Sequence, residues 1–143
     1  MRFNIGIDPR MLTDEQLYAE SRELKFLPAY FKRYGMSAIE RVPERFCLGK
    51  GHILFFAYKP SYSLRRYRMV LQECWKRGIA AEDESWRWDV YGDMRDDYHD
   101  EGWEGEVIRQ RIIEKIRISP KEYFHYYHHR ITKDQAIAMI DGL

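Results

Sequence analysis

Cysteine is scarce in this 143-residue chain: Cys47 and Cys74 are the only two, and they form no metal-type pair. Both sit in apolar sequence, so reduced, buried thiols are the simplest reading, rather than a disulfide framework. No run of 18 apolar residues occurs, so no segment is expected to span a membrane. The opening Met1-Arg2-Phe3-Asn4-Ile5-Gly6-Ile7-Asp8 lacks the apolar stretch and small-residue cleavage site of a secretory signal, and a cytoplasmic protein is expected. Internal repeats are absent. Aromatic residues, in contrast, are abundant, with eleven Tyr, seven Phe and four Trp available for a core or for stacking. With 45% apolar residues, the chain has what one compact domain spanning 1–143 needs.

Net charge is also small, at +1, but its distribution is lopsided. Residues 82–106 hold eleven acids against Arg87 and Arg95, a net of −9, and the other 118 residues carry +10. A basic body with one acidic excursion suits a polyanionic partner on one face. Mutual neutralisation of the two regions fits the same numbers.

Leu12-Thr13-Asp14-Glu15-Gln16-Leu17 carries a helix start. Thr13 and Gln16 can form a capping box, Leu12 and Leu17 a hydrophobic staple, and the two acids suit the positive end of the helix dipole. This first helix is expected from Asp14 to about Leu27, with Pro28 marking a bend or a new start. Leu64, Tyr67, Leu71, Cys74 and Trp75 define a second helix ended by Gly78, with Arg65, Arg68, Gln72 and Lys76 along another face. A third is expected from about Glu104 to Arg117, on the row Ile108, Ile112 and Ile116. Ile53-Leu54-Phe55-Phe56 reads as buried loop or helix, and the acidic stretch as an exposed loop with little regular structure. The fold class is all-α: a compact bundle of about three main helices with long loops.

Four stretches hold residue types capable of chemistry. On the first helix Glu20 falls inside the apolar stripe, Glu23 on its flank and Arg22 opposite. A carboxylate at a core edge is either a perturbed, functional group or half of a structural ion pair. Leu48-Gly49-Lys50-Gly51-His52 can bring backbone and a lysine to a phosphate, or be a plain turn, and it lacks P-loop spacing. The run Tyr123-Phe124-His125-Tyr126-Tyr127-His128-His129-Arg130 cannot turn every ring towards one core, leaving some for solvent, a partner or a base. No Cys or carboxylate cluster completes a metal site with its histidines, and a solvated surface loop is the simpler reading of the acidic stretch, so no metal and no cofactor is expected.

Taken together, the matching stretches are Asp14, Leu17, Ala19-Glu20, Arg22-Glu23-Leu24, Pro43, Phe46, Leu48-Gly49, Gly51-His52, Phe55-Phe56 and Leu64-Arg65. They continue through Glu73-Cys74-Trp75-Lys76-Arg77-Gly78, Arg111, Glu114-Lys115-Ile116, Pro120 and Tyr123 to Tyr127. In this order and spacing, over roughly residues 1–129, the chain resembles the pyrimidine-dimer DNA glycosylases of the phage endonuclease V type, with residues 130–143 as a C-terminal extension. The resemblance implies a compact helical domain with an N-terminal segment threaded between helices. It also implies a DNA glycosylase with AP-lyase activity, working through an imine between the chain's own α-amino group and the sugar C1′. An α-amine titrates near 8, so roughly a fifth is neutral and nucleophilic at neutral pH.

Carried over residue by residue, Glu23 is the catalytic carboxylate and Arg22 grips phosphate. Arg2 is too bulky for ordinary Met excision, so Met1 supplies the amine, one residue out of the family's register. Phe26, beside Lys25, replaces a basic residue of the family, and Gln16 a histidine. The expected DNA-contacting set is Arg2, Arg22, Lys25, Lys50, His52, Arg65, Arg68, Lys115, Arg117, Tyr123, Phe124, His125 and Tyr126. The expected partner is double-stranded DNA, bound by a monomer; DNA binding without catalysis, and a protein–protein module using exposed aromatics, are the alternatives.

Overall fold

The computed structural model describes residues 3–142, the side chain of Lys50 excepted. The chain is mostly helical, in keeping with an all-α compact domain. Six α-helices run in the order α1 (Asp14–Glu23), α2 (Phe26–Tyr34), α3 (Lys50–Ala57), α4 (Pro60–Lys76), α5 (Trp103–Ile118) and α6 (Lys133–Ile140). One antiparallel hairpin, β1 (Tyr123–Tyr126) with β2 (His129–Thr132), separates α5 from α6. Among the described residues no helix is long and apolar enough to cross a membrane.

The chain enters through its core. Phe3, Ile5 and Ile7 alternate inward and are all essentially fully buried. This ribbon is held on several sides: the Asn4 amide donates to Glu20 of α1, Arg66 of α4 donates to the Ile7 carbonyl, and the Phe3 ring stacks on His52 of α3. It passes the start of α5 at Gly6, where a Cβ would come within 2.8 Å of the Gly105 Cα and 2.5 Å of an Asp100 carboxylate oxygen. Gly6 also has φ of +75°, so only glycine fits there without strain.

The capping box at Thr13 forms as expected, with the Gln16 amide donating to Thr13 Oγ1 and the Thr13 amide to Gln16 Oε1. The first helix, however, stops at Glu23, four residues earlier than expected. Pro28 has no N–H for the Leu24 carbonyl, which accepts from the Leu27 amide at 3.2 Å instead, a tighter turn that marks the break. The chain turns over Leu24 and Lys25 and restarts as α2, with Pro28 buried in its first turn. Leu17, Leu24, Leu27 and Phe31 still form one inward stripe across the break.

Pro60 opens α4, where a missing N–H costs nothing. Gly78, at φ +75°, closes it with the Gly78 amide donating to the Trp75 carbonyl and the Ile79 amide to the Cys74 carbonyl. That is the Schellman pattern expected of a glycine stop. Ile108, Ile112 and Ile116 are the buried row of α5, as their spacing predicts, and Phe55 and Phe56 are buried on α3.

Two expectations need correcting. The acidic stretch is a loop only in part: Ser85–Tyr91 forms a 3-10 helix packed against α2 and α4, while residues 93–102 carry no helix or strand and are mostly exposed. Trp88 stacks on Tyr67 and donates to Ser63 Oγ at 2.9 Å, and the Tyr91 hydroxyl donates to the Ala57 carbonyl at 2.6 Å. Trp88 and Tyr91 point in, whereas Trp86 and most of the acids face outward. The second correction is the hairpin, which interrupts the helical succession and uses the aromatic run as β1. Residues beyond Arg130 then cap the fold, since Ala136 and Ile140 of α6 are fully buried and α6 packs on α5.

Candidate functional site

The alternating apolar pattern of residues 3–7 places Asn4 against α1 while its neighbours face the core. Its backbone amide donates to Glu20 Oε2 at 3.2 Å and its side-chain amide to Oε1 at 3.0 Å. Arg66 completes the arrangement with a two-pronged pair to the same carboxylate, both bonds at 2.9 Å. Glu20 is 1% exposed and Arg66 5% exposed. Buried charge on this scale persists only when every lone pair is answered, and here both oxygens are. Glu20 is therefore the structural half of the alternatives its position left open: it anchors the opening segment of the chain.

Asn4 and Glu20 also form one wall of a small cavity, about 130 Å³, whose other lining residues are Gln16, Ala19, Glu23, Ile112 and Lys115. Glu23 is the last residue of α1 and half-buried; Lys115 reaches the same space from α5. Two carboxylates, an ammonium and two amide side chains thus share a pocket that takes only a few atoms. The capping box fixes Gln16, since its side chain is committed to the Thr13 amide. Met1 and Arg2, the expected amine and its neighbour, lie outside the described residues.

His52 is a correction to the expected contact set. It is 2% exposed, its Nε2 accepts from the Phe3 amide at 3.3 Å, and its Nδ1 donates to the Cys47 carbonyl at 3.1 Å. One nitrogen accepting and the other donating is the neutral imidazole, and the ring serves to fix Phe3. Phe124 is likewise buried and faces the core from β1. Neither can touch a duplex at the surface.

The expected cations fall into two groups. Arg22 and Lys25 line a second opening beside α1, about 210 Å³, with Tyr18 and Glu84. Arg22 is exposed, 5.8 Å from the Tyr18 ring, whereas Lys25 is in a salt bridge with Glu84. Hydrogen bonding from Lys25, then from Arg87, holds the Glu84 carboxyl below its ordinary range. Arg65 is engaged in the same way, by both oxygens of Asp97 at 3.0 and 3.2 Å, and that hydrogen-bonded pairing lowers the Asp97 pKa. The acidic segment therefore neutralises two of the expected DNA-contacting residues directly. Arg68 faces another cavity with Trp86, away from Glu23, and Arg117 is exposed on α5. Lys50 starts α3.

The hairpin aromatics are placed by a hub that sequence reading missed. Arg77, with a fully buried side chain, donates to Glu73, to Asp14 and to the carbonyls of Pro9, Arg10 and Leu12. Its guanidinium lies 4.6 and 4.9 Å from the Tyr126 and Tyr127 ring centres. Asp14 accepts the amides of Tyr127 and His128, the two turn residues with positive φ. Burial works to raise the Asp14 pKa, but the His128 amide, Arg77 and the Tyr127 amide overcome it and the net shift is downward. His125 is tied to Glu15 through both its amide and Nδ1, and the Tyr126 hydroxyl donates to the Arg10 carbonyl. Tyr123 stays exposed, with Arg130 4.1 Å above its ring.

Cys74 is fully buried, and burial pushes its thiol up to about 11, so it remains protonated and inert. Among the described residues no group of three or more His, Cys, Asp or Glu is placed to hold a metal. The sequence matches no family model.

Proposed function

We propose that this chain is a DNA glycosylase with an AP-lyase step on damaged, pyrimidine-dimer-type or abasic duplex DNA, with the Met1 amine as nucleophile and Glu23 as its carboxylate. The observation that carries this reading is the shared cavity of Asn4 and Glu23. A buried ribbon, pinned by Glu20 and His52, makes residues close to the chain's start part of the same wall as that carboxylate. The amine attacks C1′, the bond to the base breaks, and the base leaves with the electron pair and a proton. Glu23 stabilises the positive charge developing on the sugar and relays protons. Loss of the amine proton and opening of the sugar ring give the imine. Removal of a C2′ proton then expels the 3′-phosphate. Lys115 brings positive charge to the same space for a flanking phosphate.

Borohydride reduction during incubation with abasic duplex is the test. A covalent protein–DNA species is expected, with the adduct mapping to the N-terminal peptide. Glu23→Gln should lower strand nicking by about 10²-fold or more, the usual loss for a positioned acid–base group. Absence of trapping, or equal nicking by Glu23→Gln, would remove the catalytic reading.

One observation favours a second reading, DNA binding without catalysis. Lys25 and Arg65 are already paired with Glu84 and Asp97. Steeply salt-dependent duplex affinity with no nicking would select that alternative.

A further inference from the structure

A cavity of about 530 Å³ lies apart from Glu23, between the first turns of α4 and the 3-10 helix of the acidic segment. Its floor is fixed. Trp88 is held by Ser63, Tyr91 by the Ala57 carbonyl, and Ser61 donates from its hydroxyl to the Arg95 carbonyl at 2.8 Å. Its rim is less committed, although Arg95 donates from one guanidinium nitrogen to the Gly92 and Met94 carbonyls and keeps its others for a ligand. The side chains of Arg68 and Asp89 and the Trp86 indole N–H have no hydrogen-bond or ion-pair partner among the described residues. That contrasts with Trp75 and Trp88, whose indole N–H groups are both satisfied. Trp86 is 61% exposed, and Arg87, which does not line the cavity, sits 4.8 Å from its ring centre.

A rigid concave floor of this volume with a few converging polar groups is the usual form of a small-molecule site. The rim chemistry narrows the class. An exposed indole backed by a guanidinium is a stacking surface for a planar ring. Arg68 and Arg95, at the same mouth, suit an anion, with phosphate geometry favoured by the guanidinium fork. Asp89 is an acceptor for ring N–H, exocyclic amine or sugar hydroxyl. We propose that this cavity binds a nucleotide unit, its base on Trp86 and its phosphate on Arg68 and Arg95. The site shares no residue with the Glu23 cavity, and of its lining only Arg68 belongs to the DNA-contacting set expected of a glycosylase.

Adenosine 5′-monophosphate, adenosine, inorganic phosphate and a four-nucleotide single-stranded oligodeoxyadenylate serve as probes, followed by tryptophan fluorescence and calorimetry on the full chain. Saturable binding of the monophosphate is expected, with adenosine and phosphate each at least about tenfold weaker, because each offers only one of the two contacts. Trp86→Ala and Arg68→Ala should each weaken it by about tenfold or more, while Glu23→Gln leaves it unchanged. Both replaced side chains are exposed, and unchanged thermal melts confirm that the fold is intact. Tighter binding of the oligonucleotide than the monophosphate identifies a displaced DNA strand as the source, and the reverse order a free nucleotide. No saturation by either up to about 10 mM, weaker than any affinity of note, or affinity unaltered in both variants, overturns the proposal.

Discussion

Two arginines carry much of the internal architecture, and they do so with charge placed where charge is expensive. Arg66 and Glu20 are buried together, with Asn4 answering what Arg66 leaves open. Replacing Arg66 by Met keeps the volume but leaves the carboxylate buried without its cation, which should cost about 3–5 kcal/mol. Urea unfolding measures that loss directly. The double change Arg66→Met with Glu20→Leu removes both charges and should recover most of it, although Asn4 then lacks its acceptor. A single variant as stable as the parent would mean that the pair does not hold the opening ribbon. The Asn4 and Arg66 contacts also explain why an acid inside an apolar stripe, so conspicuous in the sequence, proves structural even though it lines the same cavity as Glu23.

Among the elements, α1 and α4 were legible residue by residue because their ends are written in local chemistry: the Thr13–Gln16 box, Pro60, and Gly78. The hairpin was not. Tight two-residue turns with positive φ normally advertise themselves with Asn or Gly, whereas here Tyr127 and His128 adopt φ of 50° and 69°. Asp14 compensates from 113 residues away by accepting both turn amides, a remote contact that no short window of sequence displays. The cap of α6 repeats the Thr13 pattern at Thr132 and Gln135, so that signal was present. Because the folded-state pKa of Asp14 is lowered, its contribution to stability is complete above the ordinary carboxylate range near 4 and is lost as pH falls through the lowered value. Asp14→Asn should therefore be less stable than the parent at pH 7, with a smaller further loss below about pH 4. Denaturant titrations at several pH values, with amide exchange at Tyr127 and His128, report this. Parallel pH profiles for the two proteins would show that Asp14 is not the clamp.

For the whole molecule, the uneven charge distribution was readable but its use was not. Most acids of residues 82–106 are exposed, but Glu84 and Asp97 reach Lys25 and Arg65, and the inward Trp88 and Tyr91 fix the 3-10 helix between them. Neutralising both acids as Glu84→Gln with Asp97→Asn should free two cations and raise duplex affinity by several-fold at low salt. The slope of log affinity against log salt should steepen by up to about two. Fluorescence anisotropy with a labelled duplex at several salt concentrations is the measurement. An unchanged affinity and slope would place Lys25 and Arg65 off the DNA path.

The buried ribbon at residues 3–7 has a consequence for synthesis. Its partners are spread far downstream, Glu20 first, then His52 and Arg66, and finally Gly105 beside Gly6. At about 5–20 residues per second, some 5–20 s pass between the emergence of Phe3 and that of its last neighbour. Throughout that interval these apolar residues have no finished berth. The ribbon is made before its partners and is among the last segments to be locked, and the nascent chain depends on whatever shields Phe3, Ile5 and Ile7 until then.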